Sequence, residues 1–206
     1  MPGRMFLTAS GAEIAAFFGA AEPRPFDVPP RRNIAPGQQV WVCDEARQLA
    51  EMRWGMIPVG RKNARGRPVM ETIVNARSET VFDKSAFEGV TRCLVPANGW
   101  YEWTGKTRRK TAWRIGLPGG GLMAFAAIYD VWTAPRGARL AQVATVTCPP
   151  SADVRDIHHR MGVILPPEAF AVWLQGDERD AAALMQPLAD GILMVEEATD
   201  VDWTAP

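Results

Sequence analysis

The chain has 206 residues, 47% of them hydrophobic, and its 23 basic side chains are matched by 23 acidic ones. That is enough apolar material for one large domain or at most two small ones, and a balanced charge excludes a global field drawing the molecule to nucleic acid or membrane. No apolar run approaches ~20 residues, and no basic n-region with an apolar h-region opens the chain, which excludes a helical membrane span and a secretory leader as expectations.

In chain order, Ser10-x-x-Glu13 is a capping-box pattern ahead of the apolar Ile14, Ala15, Phe17 and Phe18, with Gly19 as a stop; it predicts one short helix. Residues 21–38 are rich in Pro and Arg and read as an irregular connector. Strand-like runs follow at Val40–Val42, Met52–Ile57, Ala112–Ile115, Leu122–Trp132 and Leu140–Cys148, dense in β-branched and aromatic residues. Pro118-Gly119-Gly120-Gly121, between two of these, marks a hairpin. Helical patterns return at Pro167–Leu174 and Arg179–Leu188, and residues 189–206 form an acidic tail. The expected fold is α+β: a single domain over 1–206, built on a mostly antiparallel, partly closed sheet or barrel with peripheral helices.

Charge is unevenly placed. Of the 23 basic residues 19 are Arg, the type suited to bidentate phosphate contacts. Arg53, Arg61, Lys62, Arg65, Arg67 and Arg77 face only three acids between Glu51 and Thr80, and Lys106, Arg108, Arg109, Lys110 and Arg114 face none. From Asp177 onward eight acids stand against Arg179. Each run is equally readable as solvated surface. The cysteines Cys43, Cys93 and Cys148 are odd in number and lack a CxxC, so neither a disulfide framework nor a zinc site is indicated, and a reduced, cytoplasmic protein is expected.

Several short words mix core-type and chemical residues. His158 and His159 are the only histidines; on a strand they would point to opposite faces, so at most one enters a given site, as a proton-transfer group or as plain structure. No third ligand sits at a recognisable spacing, so neither metal nor cofactor is expected. Glu102 lies among Trp100, Tyr101 and Trp103, a setting that raises a carboxyl pKa and suits a general acid, unless the side chain turns to water. Asn75 and Arg77 share one face of any strand and can hold a phosphate or orient a carbonyl, or serve as a turn cap and a surface charge.

Taken together, six ordered words resemble the SOS-response-associated peptidase (SRAP) family. They are Met1-Pro2-Gly3-Arg4, Asn33 to Pro36, Trp54 to Pro58, Asn75 to Thr80, Pro96 to Trp103 and Ile157 to Gly162. The resemblance implies a partner, single-stranded DNA with abasic sites, in the SOS response to DNA damage, handled by a protein expected to be monomeric. It also implies chemistry at the residue after Met1, with Asn75 positioning that N-terminus, Glu102 handling protons around Schiff-base formation and His158 supporting sugar opening and reversal. Arg4, Trp54, Arg77, Thr147 and Arg160 are then expected to contact the DNA. The same site is credited in the family with autoproteolysis of the leading peptide. A protease acting on other proteins is disfavoured, because no Ser-His-Asp or Cys-His arrangement is apparent.

Three departures stand out. Pro2 replaces the family's nucleophilic Cys, which forbids a thiazolidine crosslink but leaves a secondary amine once Met1 is removed; the expectation is a transient Schiff base at Pro2 and abasic-site lyase activity, the alternative a catalytically inactive single-stranded-DNA-binding relative. Val59-Gly60-Arg61 lacks the family's wedge tryptophans, and the acidic Met194 to Pro206 lacks its Val-Asn-Asn word.

Overall fold

The computed structural model describes residues 3–23, 27–58, 65, 72–106, 109–134 and 137–205. Pro2, the Val59-Gly60-Arg61 stretch, Lys62, Arg67 and Arg108 lie outside the described residues. In chain order the first strands are β1 (Met5–Leu7), β2 (Arg31–Ile34), β3 (Gln39–Cys43), β4 (Leu49–Trp54) and β5 (Asn75–Arg77). Then come β6 (Thr91–Ala97), β7 (Gly99–Lys106), β8 (Arg109–Gly116), β9 (Met123–Thr133), β10 (Arg139–Cys148), β11 (Met161–Gly162), β12 (Ile164–Leu165) and β13 (Met194–Glu197). The helices are α1 (Gly11–Phe18), α2 (Phe170–Gln175) and α3 (Glu178–Ala183).

The fold is α+β, as expected. Five strands close on themselves: β10 pairs β4, β4 pairs β3, β3 pairs β6, β6 pairs β9, and β9 returns to β10. All of these contacts are antiparallel except β10–β4, and closure leaves no free edge in the ring. Its strands carry the apolar, β-branched runs read from sequence, and Val42, Leu94, Phe125, Val143 and Val146 are fully buried. A second sheet, in the order β13-β8-β7-β1-β2, lies beside it. Trp100 of β7 meets Phe125 of β9 edge to face at 5.7 Å, joining the two.

The capping box at Ser10 forms as predicted: the Ser10 hydroxyl accepts from the Glu13 N–H and the Glu13 carboxylate accepts from the Ser10 N–H. Gly19 ends α1 in the left-handed region, φ 61°. Phe17 and Phe18 then pack on Phe170 of α2, at 5.5 and 5.4 Å between centroids.

Four expectations need correction. The connector over residues 21–38 contains β2, which its Arg and Asn content hid; pairing with β1 selects the strand, with Ile34 opposite Met5. Pro118–Gly121 is no hairpin, since β8 and β9 belong to different sheets and this turn carries the chain across. The strand expected over Met52–Ile57 ends at Trp54, where Gly55 at φ 124° redirects the backbone. The helix expected over Arg179–Leu188 stops at Ala183, shortly before Pro187. No described helix is long and apolar enough to cross a membrane.

Candidate functional site

The first group of polar residues is assembled by β5. This three-residue strand lies parallel to β10, with Asn75 opposite Thr145, Ala76 opposite Val146 and Arg77 opposite Thr147. A parallel pair between segments so far apart in sequence is invisible to local patterning. Thr145 is fully buried and its hydroxyl donates to the Asn75 side-chain oxygen, which turns the amide so that its NH2 end faces away from the barrel strand. Arg77, two residues on, is exposed.

The turn preceding β11 completes this group, because Cys148 pairs with Met161 and Thr147 with Gly162. The Arg160 guanidinium forms a two-pronged pair with Glu79, Nη1 to Oε1 and Nη2 to Oε2 at 2.9 Å. Its Nη2 also donates to the Thr147 carbonyl. Charge-assisted hydrogen bonds from Arg160 hold the Glu79 carboxyl down to about 2. His158 Nδ1 lies 3.0 Å from both the backbone nitrogen and the carbonyl oxygen of Arg160. It therefore has a partner whether it carries a proton or a lone pair, an arrangement suited to proton transfer at Nε2. Burial lowers the His158 pKa, so the neutral ring prevails near pH 7.

The second group sits on the five-stranded sheet. Glu102 shares the face of β7 that carries Trp100 and is 4% exposed. Burial pushes its carboxyl up to about 7. Both protonation states are thus accessible at neutral pH, which is what a proton-transferring carboxyl requires. Arg4 is nearby along the chain pairing: its carbonyl accepts from the Tyr101 N–H at 3.0 Å, and its Nη1 donates to Asn33 Oδ1 at 2.7 Å. The structure therefore brings Asn75, Arg77, Thr147, His158 and Arg160 into one group and Arg4 and Glu102 into another. Trp100 links the second to the barrel.

Three expectations about individual residues change. Trp54 is fully buried and donates its indole N–H to the Val74 carbonyl at 3.2 Å, so it cannot stack on a base; it anchors the segment leading into β5. Thr147 is also fully buried, with its hydroxyl donated to the Ala76 carbonyl at 3.1 Å, so it braces β5 and Arg160 and meets no phosphate directly. His158 and His159 lie just past a turn with their rings stacked at 4.4 Å, not on opposite faces of a strand. Sequence reasoning quoted Glu79 and Asn33 within two of the six words without giving either a role, and it missed Thr145. The signal for Thr145 was available: a polar side chain in an otherwise apolar buried run needs a hydrogen-bond partner. Among the described residues no three His, Cys, Asp or Glu side chains converge as metal ligands.

The family model for SOS response associated peptidase (SRAP) matches residues 1–202. The chain belongs to the SRAP family. It is 33% identical over 168 residues to the abasic site processing protein YoqW of Bacillus subtilis, spanning 77% of this chain and 74% of that one. It is also 33% identical over 168 residues to the abasic site processing protein HMCES of Gallus gallus, of which the match spans 50% and which covers 68% of this chain. A solved protein from Bordetella bronchiseptica has a similar fold, at TM-score 0.79 and 24% identity, over 96% of this chain and 99% of that one.

Proposed function

We propose that this SRAP protein acts at abasic sites in single-stranded DNA, in the SOS response, through a transient Schiff base at Pro2 once Met1 has been removed. The observation that carries the reading is Glu102, a carboxyl buried among aromatics and raised to about 7 in a chain whose relatives are named for abasic site processing.

The chemistry follows from the residue types. The secondary amine of Pro2 adds to the C1′ aldehyde of the ring-opened sugar, and the carbinolamine loses water to give an iminium ion. That cation withdraws electrons from C2′ and acidifies its proton. Glu102 as carboxylate accepts this proton, and the electron pair expels the 3′ phosphate by β-elimination. Water then hydrolyses the iminium, restoring Pro2 and freeing an unsaturated aldehyde on the cleaved strand. Asn75 orients the amine, His158 moves protons during sugar opening, and Arg4 and Arg77 hold flanking phosphates. Without a thiol at position 2 the iminium has no ring-closing trap, so turnover replaces a stable crosslink.

Borohydride reduction tests this directly. The Met1-free protein is expected to give a covalent band with abasic single-stranded DNA and none with undamaged DNA. Glu102→Gln and His158→Asn should slow the trapping and the strand cleavage while leaving affinity within about twofold. A protein that binds the DNA but yields neither band nor cleavage is a silent binder, and the lyase reading then fails.

A further inference from the structure

Arg160 presents an anion site that the protein itself fills. One edge of the guanidinium is pinned, with Nη2 donating to the Thr147 carbonyl and lying 3.3 Å from the Thr147 hydroxyl. Nη1 and Nη2 each donate to one oxygen of Glu79, while the buried Nε has no hydrogen-bond partner among the described residues. This planar fork accepts a carboxylate and a phosphate with the same geometry. The Arg160 side chain is only 11% exposed while that of Glu79 is 49% exposed, so the carboxylate is the lid between the guanidinium and solvent. Arg77 is exposed at the end of β5, opposite Thr147 in register.

We propose that Glu79 is a resident stand-in for a DNA phosphate, occupying the Arg160 fork in the free protein and yielding it to the backbone of a bound strand. This rests on the reading of the protein as a binder of single-stranded DNA, and it adds a residue that limits affinity. The exchange is one anion for another at a preset guanidinium, so it needs no rearrangement of β10 or β11. Its cost is the loss of the Glu79 pair, which weakens binding and makes the net phosphate charge neutralised by Arg160 small. The Glu79 carboxyl, held near 2, stays ionised across the physiological range, so the competition does not relax with mild acid.

The experiment is a titration of a fluorescein-labelled, undamaged oligothymidylate with the full chain at several salt concentrations. Glu79→Gln should bind about threefold to tenfold more tightly than the wild type, and its log K against log salt slope should steepen by about 0.7, one phosphate on a single strand. In the Glu79→Gln, Arg160→Ala double variant the gain should vanish, because the fork is gone. Neutralising the exposed neighbour with Asp83→Asn should give no comparable gain. Should Glu79→Gln fail to fold, Glu79→Asp keeps the charge but shortens its reach, and is also expected to bind more tightly than the wild type. Equal binding by Glu79→Gln and the wild type, a gain that survives Arg160→Ala, or one that Asp83→Asn reproduces overturns the proposal and leaves the DNA-binding reading standing. A wild type that ignores the oligonucleotide removes both readings together.

Discussion

Glu102 shows how one side chain ties chemistry to stability. Its carboxyl ordinarily ionises near 4.5, and burial raises it to about 7 in the folded state. The folded protein therefore binds this proton more tightly than the unfolded chain. The resulting stability is fully present below about pH 4.5 and is lost as pH rises through 7, where folding has to hold a buried carboxylate. Glu102→Gln removes the titration but keeps the shape. The variant is expected to match the wild type near pH 5 and to exceed it at pH 8 by up to about 3 kcal/mol, several degrees in Tm. Thermal melts of both proteins at the two pH values check this, and an identical gap at both would contradict a raised carboxyl. This residue was legible in sequence because three aromatics within four positions leave a strand carboxylate little water on either face. Trp54 was not, since a tryptophan that stacks on a base and one that fills a core have the same composition signature. Only its full burial separates them. Glu79 was given no role for a related reason: its partner lies 81 residues away, beyond any local pattern.

Elements that depend on local rules were read well, and those that depend on pairing were not. The helix α1 announced itself through Ser10, Glu13 and Gly19, all of which act within one turn of its ends. Ser10→Ala should lower stability by about 1 kcal/mol, since it leaves the Glu13 N–H without its acceptor and removes the hydroxyl's bond to the Glu13 carboxylate; chemical denaturation measures it, and a change under a few tenths would show that tertiary packing alone holds the helix. By contrast β2, β5 and β13 are short, polar or isolated in sequence, and exist because a neighbouring strand supplies their hydrogen bonds. The word around Glu102 shows the same dependence. Gly99 begins β7 where β1 and β8 both approach it, and a Cβ there would stand 2.3 Å from the Ile115 carbonyl and 2.5 Å from the Phe6 ring. Gly99→Ala forces these strands apart and is expected to cost about 3 kcal/mol, with lower soluble yield and a lower Tm. Full stability in that variant would mean that the close approach of Phe6 and Ile115 can be relieved at little cost.

At the scale of the whole molecule, the sequence displayed a basic run through Arg114 and an acidic tail, and left open whether the tail covers basic surface or serves solubility. In the structure β13 extends the edge of β8 with Glu196 opposite Arg114. Arg114 pairs with Glu196 at 2.9 Å and with Asp200. Past this point Trp203 packs on Tyr101 at 4.9 Å and on Trp103 at 5.2 Å, and Asn33 donates to the carbonyls of Asp202 and Ala205. The tail thus covers the face of β7 opposite Glu102, and the ion pairs are partly exposed and worth little alone. The aromatic contacts carry the larger share. Deleting residues 199–206 uncovers Tyr101, now 1% exposed, along with Trp103, while sparing β13. The expected result is a fall of several degrees in Tm with enhanced binding of an apolar dye, and Trp203→Ala alone should account for about 2 kcal/mol of it. Because the ion pairs contribute little, raising salt should leave the difference between wild type and truncation nearly constant. A truncation effect that disappears in high salt would instead assign the tail's hold to the pair of Arg114 with Asp200.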